Sequence, residues 1–205
     1  MNIILCGEAG SGKDETFSLL ESKGFRRYAF GDSIRLLCRN LRINGVEAAY
    51  QQLYPMFDMN PPPNLLRKLQ EFRMIPKHNE KDRPLLQALG TYCREYDDYI
   101  WLRNIREVAN YSNKMVITDC RRVVEFNCFL DFISIYIDAP YELRLERLQN
   151  RDGAVNEHVL KHRAEQEIKL LKPKCNFVIT NDSTLDSLKL QLEDIFSYAL
   201  GFRKT

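Results

Sequence analysis

Short apolar runs alternate along this chain with longer segments in which apolar positions recur at helical spacing. The short runs predict β-strands at 2–6, 26–30, 114–118, 132–137 and 176–180. The longer segments predict helices at 13–23, 33–44, 46–57, 64–73, 84–96, 99–110, 140–151, 156–171 and 184–200. Such an alternation is typical of a parallel sheet covered by helices on both faces. We therefore expect an α/β fold in one domain, 1–205, with the extra helices of 32–111 above the sheet.

The first strand leads directly into the segment Gly7-Glu8-Ala9-Gly10-Ser11-Gly12-Lys13, whose spacing G-x-x-x-x-G-K fits a phosphate-binding P-loop. Glycines allow successive backbone N–H groups to point into one concavity, which binds an anion, and the following helix adds the positive end of its dipole. Lys13 would reach the β- and γ-phosphates of a nucleotide. The predicted nucleotide contacts in this loop are Gly7, Ala9, Gly10, Ser11, Gly12 and Lys13.

The residues after the lysine depart from the usual motif. A Ser or Thr that ligates magnesium is expected there, and this chain has Asp14 followed by Glu15 and Thr16. A carboxylate can hold Mg²⁺ directly or through water, so Asp14 is a candidate metal ligand. The two acids also place negative charge beside a triphosphate. Either the metal is held differently from the usual case, or the loop binds nucleotide weakly.

Polar residues follow the predicted strands, at the sheet edge where ligands bind in α/β folds. Asp119 follows the third strand and fits the acid that holds magnesium through water, with a helix cap as the alternative. Arg121 lies just beyond it. Asp32 follows the second strand and suits either a cap for the helix at 33–44 or a catalytic role, and Arg35 lies one turn further on.

Three arginines, Arg144, Arg147 and Arg151, share one face of a predicted helix, and Arg163 follows on the next helix. Such a row is ordinarily a solvated helix face. In a phosphoryl-transfer enzyme, however, several cations must surround the migrating group. We therefore predict a lid at about 144–166 and catalytic roles for Arg147 and Arg151, alongside Lys13 and Asp119.

Composition excludes several classes of function. The net charge of +2 over 205 residues predicts no general affinity for nucleic acid, and no apolar run is long enough to span a membrane. The 6 cysteines are scattered without a C-x-x-C pair, which indicates reduced thiols in a cytoplasmic protein.

Four segments of the chain resemble the bacteriophage deoxynucleoside monophosphate kinases, within the P-loop nucleoside and nucleotide kinase superfamily. The first two are Ser11-Gly12-Lys13-Asp14 and the stretch Arg83-Pro84-Leu85-Leu86-Gln87-Ala88-Leu89-Gly90-Thr91-Tyr92-Cys93-Arg94 with Asp97-Asp98-Tyr99-Ile100-Trp101. The third is Ile117-Thr118-Asp119-Cys120-Arg121-Arg122-Val123-Val124-Glu125. The fourth, 147–166 with Asn181-Asp182, is similar to the lid and nucleotide-base region of dephospho-coenzyme A kinases. Glu15 departs from the resemblance, since these kinases usually have Thr directly after the Asp, and Thr16 is a substitute for the α-phosphate contact.

The resemblance implies a sheet in the order 2-3-1-4-5 and transfer of the γ-phosphate of ATP, with Mg²⁺, to a (deoxy)nucleoside 5'-monophosphate. On the donor side it adds Glu15, Thr16 and Asn181 to the ATP contacts. On the acceptor side it implies roles for Asp32, Arg35, Gln87, Arg94, Trp101 and Arg121. The location implied is the cytoplasm, that of the host if the protein is phage-encoded. The oligomeric state stays open, with a homodimer among the alternatives, as do the base and sugar of the acceptor.

Three alternatives stand beside this interpretation. A hydroxyl acceptor would need a carboxylate base, and Asp32 occupies the position where dephospho-coenzyme A kinases keep such an acid. Phosphomevalonate kinases with a G-K-D loop are a related possibility. A nucleotide-binding protein without transferase activity is the third, and the arginine row argues against it because simple binding does not need those cations.

Overall fold

The computed structural model describes residues 1–58, 61–77, 82–152 and 167–201. The chain separates into two compact units. Unit 1 consists of Met1–Tyr28 together with Tyr111–Thr205, and unit 2 is Ala29–Asn110. Each unit has its own buried core, so each is described separately.

Unit 1 contains a five-stranded sheet in which every neighbouring pair of strands is parallel. The strands are β1 (Ile3–Cys6), β2 (Arg26–Tyr28), β3 (Met115–Cys120), β4 (Ile133–Asp138) and β5 (Phe177–Thr180). Their order, β2-β3-β1-β4-β5, confirms the predicted topology. The central strand β1 lies between β3 and β4, so the loop that follows Cys6 starts from the middle of the sheet.

The described helices follow the predicted alternation. They are α1 (Lys13–Glu21), α2 (Phe30–Ile43), α3 (Val46–Leu53), α4 (Leu65–Arg73), α5 (Arg83–Tyr96), α6 (Arg103–Asn110), α7 (Val123–Asn127), α8 (Tyr141–Asp152) and α9 (Leu185–Gly201). Short 3-10 helices lie at Tyr54–Met56 and Lys172–Lys174. None of the helices in the described ranges is both long and apolar enough to cross a bilayer.

The core of unit 1 is formed where one face of the sheet meets α1 and α9. Ile3 and Leu5 of β1 pack there with Leu20 of α1 and Leu192 of α9. All four residues of β1 are buried, so both faces of the central strand are covered, as its continuous apolar run predicts. The 6 cysteines are all free thiols, and four of them (Cys6, Cys38, Cys93 and Cys120) are buried, in agreement with the sequence-based expectation.

The start of α2 differs from the prediction. Strand β2 ends at Tyr28, and the helix begins at Phe30 rather than at residue 33. The reason is that Phe30 opens the apolar series Phe30, Ile34, Leu37 and Leu41, which has helical spacing. Asp32 therefore lies inside the first turn and is not the helix cap, a position that Ala29 occupies.

Several other strand and helix boundaries also differ from the predicted ones. Strand β3 runs on to Cys120, which pairs with Cys6, so Asp119 lies within the strand instead of after it. Helix α3 ends at Leu53 because Pro55 continues the chain as a 3-10 helix, and α6 begins only at Arg103. Most of the predicted helix at 156–171, and residues 153–166 of the predicted lid with Arg163, lie outside the described residues.

Unit 2 is built from α2 to α6 around a core that includes Leu37, Leu53, Leu69, Leu89 and Trp101. One side chain joins three of its segments. The Arg42 guanidinium donates to the Asp82 carboxylate (Nε to Oδ2, 2.8 Å) and to the carbonyls of Arg73 and Ile75 at 2.5 and 2.7 Å. Arg42 of α2 therefore ties the end of α4 to Asp82, which precedes α5.

We expect Arg42→Met to lower the free energy of unfolding of unit 2 by about 2–4 kcal/mol, because it leaves the buried Asp82 carboxylate without its cation. The chain has 1 Trp, Trp101 in the core of this unit, so intrinsic fluorescence during urea unfolding follows unit 2. Arg39→Met, at an exposed position of the same helix, is the control and should change stability by less than about 0.5 kcal/mol. Equal effects of the two substitutions would contradict this role of Arg42.

Candidate phosphate-binding site

The loop between β1 and α1 has a backbone that requires glycine. Gly10 and Gly12 have φ angles of 77° and 97°, in the left-handed region. A Cβ on Gly10 would lie 2.6 Å from the Arg144 carbonyl oxygen, and a Cβ on Gly12 would lie 2.0 Å from Asn181 Nδ2. The loop therefore lies directly against the backbone of α8 and against the residue that follows β5.

Each carbonyl oxygen of residues 7–12 accepts a hydrogen bond from a side chain. Lys13 Nζ donates to Gly7 and Glu8 at 2.6 and 2.9 Å. The remaining donors are Arg144 Nη1 to Ala9 (3.3 Å), Arg147 Nη1 to Gly10 (3.4 Å), Asn181 Nδ2 to Ser11 (2.9 Å) and Thr16 Oγ1 to Gly12 (2.8 Å). Because the N–H of a peptide group points opposite to its C=O, these bonds fix the directions in which the N–H groups of residues 8–12 point.

Ser11 supplies a second sign of a ligand at this loop. The residue is 1% exposed, yet its hydroxyl has no hydrogen-bond partner among the described residues. A buried hydroxyl without a partner costs free energy, which an oxygen of a bound phosphate would recover. The geometry of the loop, the Lys13 ammonium and this hydroxyl together fit the phosphates of a nucleotide.

An ion pair lies at the edge of the loop. Arg144 Nη2 is 3.1 Å from Glu8 Oε1, and Lys169 Nζ is 3.6 Å from the same oxygen. The side chains of Arg144 and Glu8 are only 7% and 15% exposed. The Arg144 guanidinium also lies over the Tyr141 ring, 5.6 Å from its centroid, and its Nε has no hydrogen-bond partner among the described residues.

The predicted catalytic arginines differ in their surroundings. Arg147 is half-buried, and its contacts are long: 3.4 Å to the Gly10 carbonyl and 3.5 Å from Nη2 to Asn181 Oδ1. Arg151 is exposed near the end of α8. Asn181, predicted to contact ATP, is buried and holds the Ser11 carbonyl. Its contact with ATP, like the roles of Arg147 and Arg151, stays a prediction.

The residues predicted to hold magnesium are two carboxylates. Asp14 is exposed in the first turn of α1, beside exposed Glu15, and Asp119 is half-buried in β3. Thr16 is fully buried, so the predicted α-phosphate contact would require its hydroxyl to leave the Gly12 carbonyl. No group of three or more His, Cys, Asp or Glu side chains in the described ranges could hold a metal. Mg²⁺ keeps several waters and needs only one or two carboxylates plus phosphate oxygens, so a hydrated ion fits this donor set.

Glu125 organises the turn after β3. Its Oε2 accepts the backbone N–H groups of Arg121 and Arg122 at 2.7 and 3.0 Å. Burial, with a contribution from the negative charge of Asp119, raises the pKa of the Glu125 carboxyl to about 7, although the two N–H bonds oppose the shift. The Arg121 side chain is exposed, and its backbone is held by this carboxylate.

The other residues predicted to bind an acceptor belong to unit 2. Asp32 and Arg35 form an exposed ion pair within the first turns of α2. Helix α5 carries Gln87, Gly90 and Arg94 on one face, and a Cβ on Gly90 would lie 3.2 Å from Arg94 Nη2, so the guanidinium lies over the helix backbone. Trp101 is buried in the core, and its Nε1 has no hydrogen-bond partner among the described residues.

From the sequence, Glu8 and Lys169 have no predicted role, Glu125 enters only as the last residue of the third resembling segment, and Arg144 belongs to the arginine row without a predicted partner. One signal was present in the sequence. An acid inside an anion-binding loop conflicts with the anion, which predicts compensating cations nearby. Nothing in the sequence shows that these cations are Arg144 and Lys169.

Solved structures share this architecture. The chain is similar to TT1252 from Thermus thermophilus, with a TM-score of 0.56 and 20% identity over 97% of each chain. It is also similar to a dephospho-CoA kinase from Campylobacter jejuni, with a TM-score of 0.52 and 14% identity over 96% of each chain. A shikimate kinase from Aquifex aeolicus gives a TM-score of 0.50 and 18% identity over 98% of this chain and 99% of that one. The chain has the fold of the P-loop kinases. No protein-family model matches the sequence, and no curated protein matches it either.

Glu125 generates a prediction on the pH dependence of stability. Because the pKa of its carboxyl is about 7 in the folded protein and about 4.5 ordinarily, the folded state binds more protons between these values. Stability should therefore fall as the pH rises through this window, by at most about 1.4 kcal/mol per pH unit. Glu125→Gln keeps an acceptor for the two N–H groups and cannot titrate. Urea unfolding from about pH 5 to about pH 8 should show the wild type losing stability relative to this variant, and parallel curves would contradict the prediction.

Proposed function

We propose that the protein transfers the γ-phosphate of ATP, with Mg²⁺, to a (deoxy)nucleoside 5'-monophosphate. The observation that carries this proposal is the loop at 7–12, in which every carbonyl is held by a side-chain donor and Lys13 lies against its first two residues. A backbone held in this way is prepared for an anion before the anion arrives, and preorganisation of this kind is what stabilises charge in a phosphoryl-transfer reaction.

On the donor side, the N–H groups of the loop bind the β- and γ-phosphates, and Lys13 neutralises the charge that develops on them. Asp14 and Asp119 are the residues that would hold a hydrated Mg²⁺, which would supply positive charge at the phosphates. The contacts of Arg147 with the described residues are long, so it can move to the migrating phosphoryl group at little cost. Arg151, exposed one turn further along α8, is the second cation that the proposal assigns to that group.

On the acceptor side, Arg35 and Arg94 bind the monophosphate. A phosphate acceptor carries its negative charge already near neutral pH, so it needs arginines and no base. Gln87 suits a base edge, because a carboxamide both donates and accepts. The Trp101 Nε1 is buried and has no hydrogen-bond partner in the described part of the chain, which supports a polar ligand in this unit because an unpaired buried donor is costly.

The second candidate is a hydroxyl acceptor with Asp32 as its base. The names of two similar structures, a dephospho-CoA kinase and a shikimate kinase, favour keeping this candidate. The ion pair of Asp32 with Arg35 argues against it, because one oxygen of that carboxylate already accepts from a guanidinium. A general base needs its lone pair directed at the proton that it removes.

The direct test is a panel of acceptors assayed with ATP and Mg²⁺. The panel holds the common nucleoside and deoxynucleoside monophosphates, dephospho-coenzyme A, shikimate, gluconate and phosphomevalonate. We expect a nucleoside diphosphate to form from at least one monophosphate, with no transfer to the hydroxyl acceptors. Transfer only to a hydroxyl acceptor or to phosphomevalonate would replace the proposal with that alternative, and ATP binding without transfer to any acceptor would favour a non-catalytic protein.

Lys13→Ala should reduce kcat by about a thousandfold or more, because the charge at the β- and γ-phosphates contributes several kcal/mol to transition-state stabilisation. Lys189→Ala, at an exposed position of α9, is the matched control and should leave kcat within about twofold. Retention of more than about a tenth of kcat by Lys13→Ala would show that the loop is not the phosphoryl-transfer site.

Substitutions in unit 2 separate the two acceptor chemistries. For a monophosphate acceptor, Arg35→Ala and Arg94→Ala should mainly raise the acceptor KM, and Asp32→Asn should cost well under about a hundredfold in kcat. For a hydroxyl acceptor, Asp32→Asn should lower kcat by about a hundred- to ten-thousandfold with little change in KM. Steady-state kinetics on the preferred acceptor decides between these patterns. A loss of kcat confined to Asp32→Asn would contradict the monophosphate proposal.

A further inference from the structure

The P-loop carries a carboxylate within a segment whose backbone is arranged for an anion. Glu8 is the second residue of the loop, and its own carbonyl is one of the two that Lys13 holds. An uncompensated negative charge within the loop would oppose the binding of phosphates there. Unit charges a few ångströms apart interact strongly at the low effective dielectric of a partly buried site. Phosphate binding at this loop therefore requires a positively charged partner for the Glu8 carboxylate.

The geometry around Glu8 supplies two cations. Arg144 Nη2 lies 3.1 Å from Glu8 Oε1, and Lys169 Nζ lies 3.6 Å from the same atom. The two cations differ in burial. The Arg144 side chain is 7% exposed, whereas that of Lys169 is 65% exposed, so solvent and salt screen the lysine much more than the arginine. Arg144 is accordingly the principal partner of the Glu8 carboxylate.

Arg144 contacts the loop in three ways. Nη2 binds the Glu8 carboxylate, Nη1 donates to the Ala9 carbonyl at 3.3 Å, and the Arg144 backbone leaves no room for a Cβ on Gly10. Arg147, one turn further on, contacts the described residues through hydrogen bonds of 3.4 and 3.5 Å. The two neighbouring arginines of α8 are therefore held very differently.

We propose that Glu8 and Arg144 form a positioning pair: Arg144 cancels the charge of Glu8 and holds the Ala9 carbonyl, and it does not itself bind phosphate. The inference rests on the proposed function only in naming ATP as the anion. It assigns different tasks to two of the three arginines of α8: Arg144 positions the loop, and Arg147 is available to the phosphates. It also explains why an acid is tolerated at this position of an anion-binding loop.

The proposal predicts rescue of one substitution by another. Arg144→Gln leaves the Glu8 charge with only the exposed Lys169 beside it, and we expect it to weaken binding of ATP and of inorganic tripolyphosphate by about tenfold or more. Glu8→Gln should bind both ligands at least as tightly as the wild type does. The double variant Glu8→Gln with Arg144→Gln should recover most of the lost affinity, because no uncompensated charge is left. If Arg144 bound phosphate directly, the double variant would lack that contact and would bind well below Glu8→Gln.

Isothermal titration with each ligand measures the affinities, and thermal unfolding without ligand measures whether the two substitutions are coupled. The matched control is Glu71→Gln with Arg67→Gln, an exposed ion pair on α4, which should change neither affinity by more than about twofold. Arg144→Met, alone and with Glu8→Gln, repeats the test with an apolar side chain in case Arg144→Gln does not fold. Folding of the double variants when the single Arg144 variants do not fold would also support the pair.

The outcomes separate this inference from the proposed function. If the wild type binds tripolyphosphate and the rescue occurs but no acceptor is phosphorylated, the positioning pair stands and the kinase proposal fails. If transfer occurs and the rescue fails, the pair is wrong and the kinase proposal stands. Failure of the double variants to fold would overturn the pair, because folding would then depend on contacts of Arg144 other than its ion pair with Glu8. Binding of neither ligand by the wild type would overturn both.

Discussion

The hydrogen bonds that hold the carbonyls of residues 7–12 are the constraint on which the rest of unit 1 depends. They come from Lys13 and Thr16 of α1, from Arg144 and Arg147 of α8, and from Asn181 after β5. Three separate parts of the chain thus converge on one loop of the central strand. The convergence requires the order β2-β3-β1-β4-β5, because this order places β1 beside β4, which precedes α8, and places β5 on the far side of β4.

The same convergence explains the charge balance at the loop. Glu8, Asp14 and Glu15 bring three negative charges to the loop and the first turn of α1, whereas a phosphate site needs positive potential. Arg144 and Lys169 compensate Glu8, while Asp14 and Glu15 are exposed and are screened by solvent. Lys13 donates to the carbonyl oxygens of Gly7 and Glu8, and Arg147 donates to the Gly10 carbonyl and to Asn181 Oδ1, so both cations lie at the loop itself. Acidic residues and anion binding are compatible here because each acid is either paired or hydrated.

The sequence was sufficient for the fold because the strands are short and continuously apolar and the loop has a specific spacing. It was less informative wherever tertiary contacts decide the local structure. Phe30 reads as the end of a strand, yet it is buried at helical spacing from Ile34 and Leu37 and begins α2, which removes Asp32 from the cap position. The partner of Glu8 lies 136 positions away along the chain, at Arg144, and no local pattern connects them. The predictions that concern 153–166 fall outside the described residues.

The ion pair between Asp32 and Arg35 affects both candidate acceptor chemistries, one through Arg35 and the other through Asp32. It keeps the Arg35 guanidinium near the start of α2 in the free protein, so less side-chain entropy is lost when an anion arrives. A phosphate dianion, with more charge and three oxygens, can compete with a single carboxylate for this guanidinium. A neutral hydroxyl cannot, and it would leave Asp32 bound to Arg35 rather than free to accept a proton. The pair therefore favours an acceptor whose reacting group is itself an anion, as that of a monophosphate is and that of an alcohol is not.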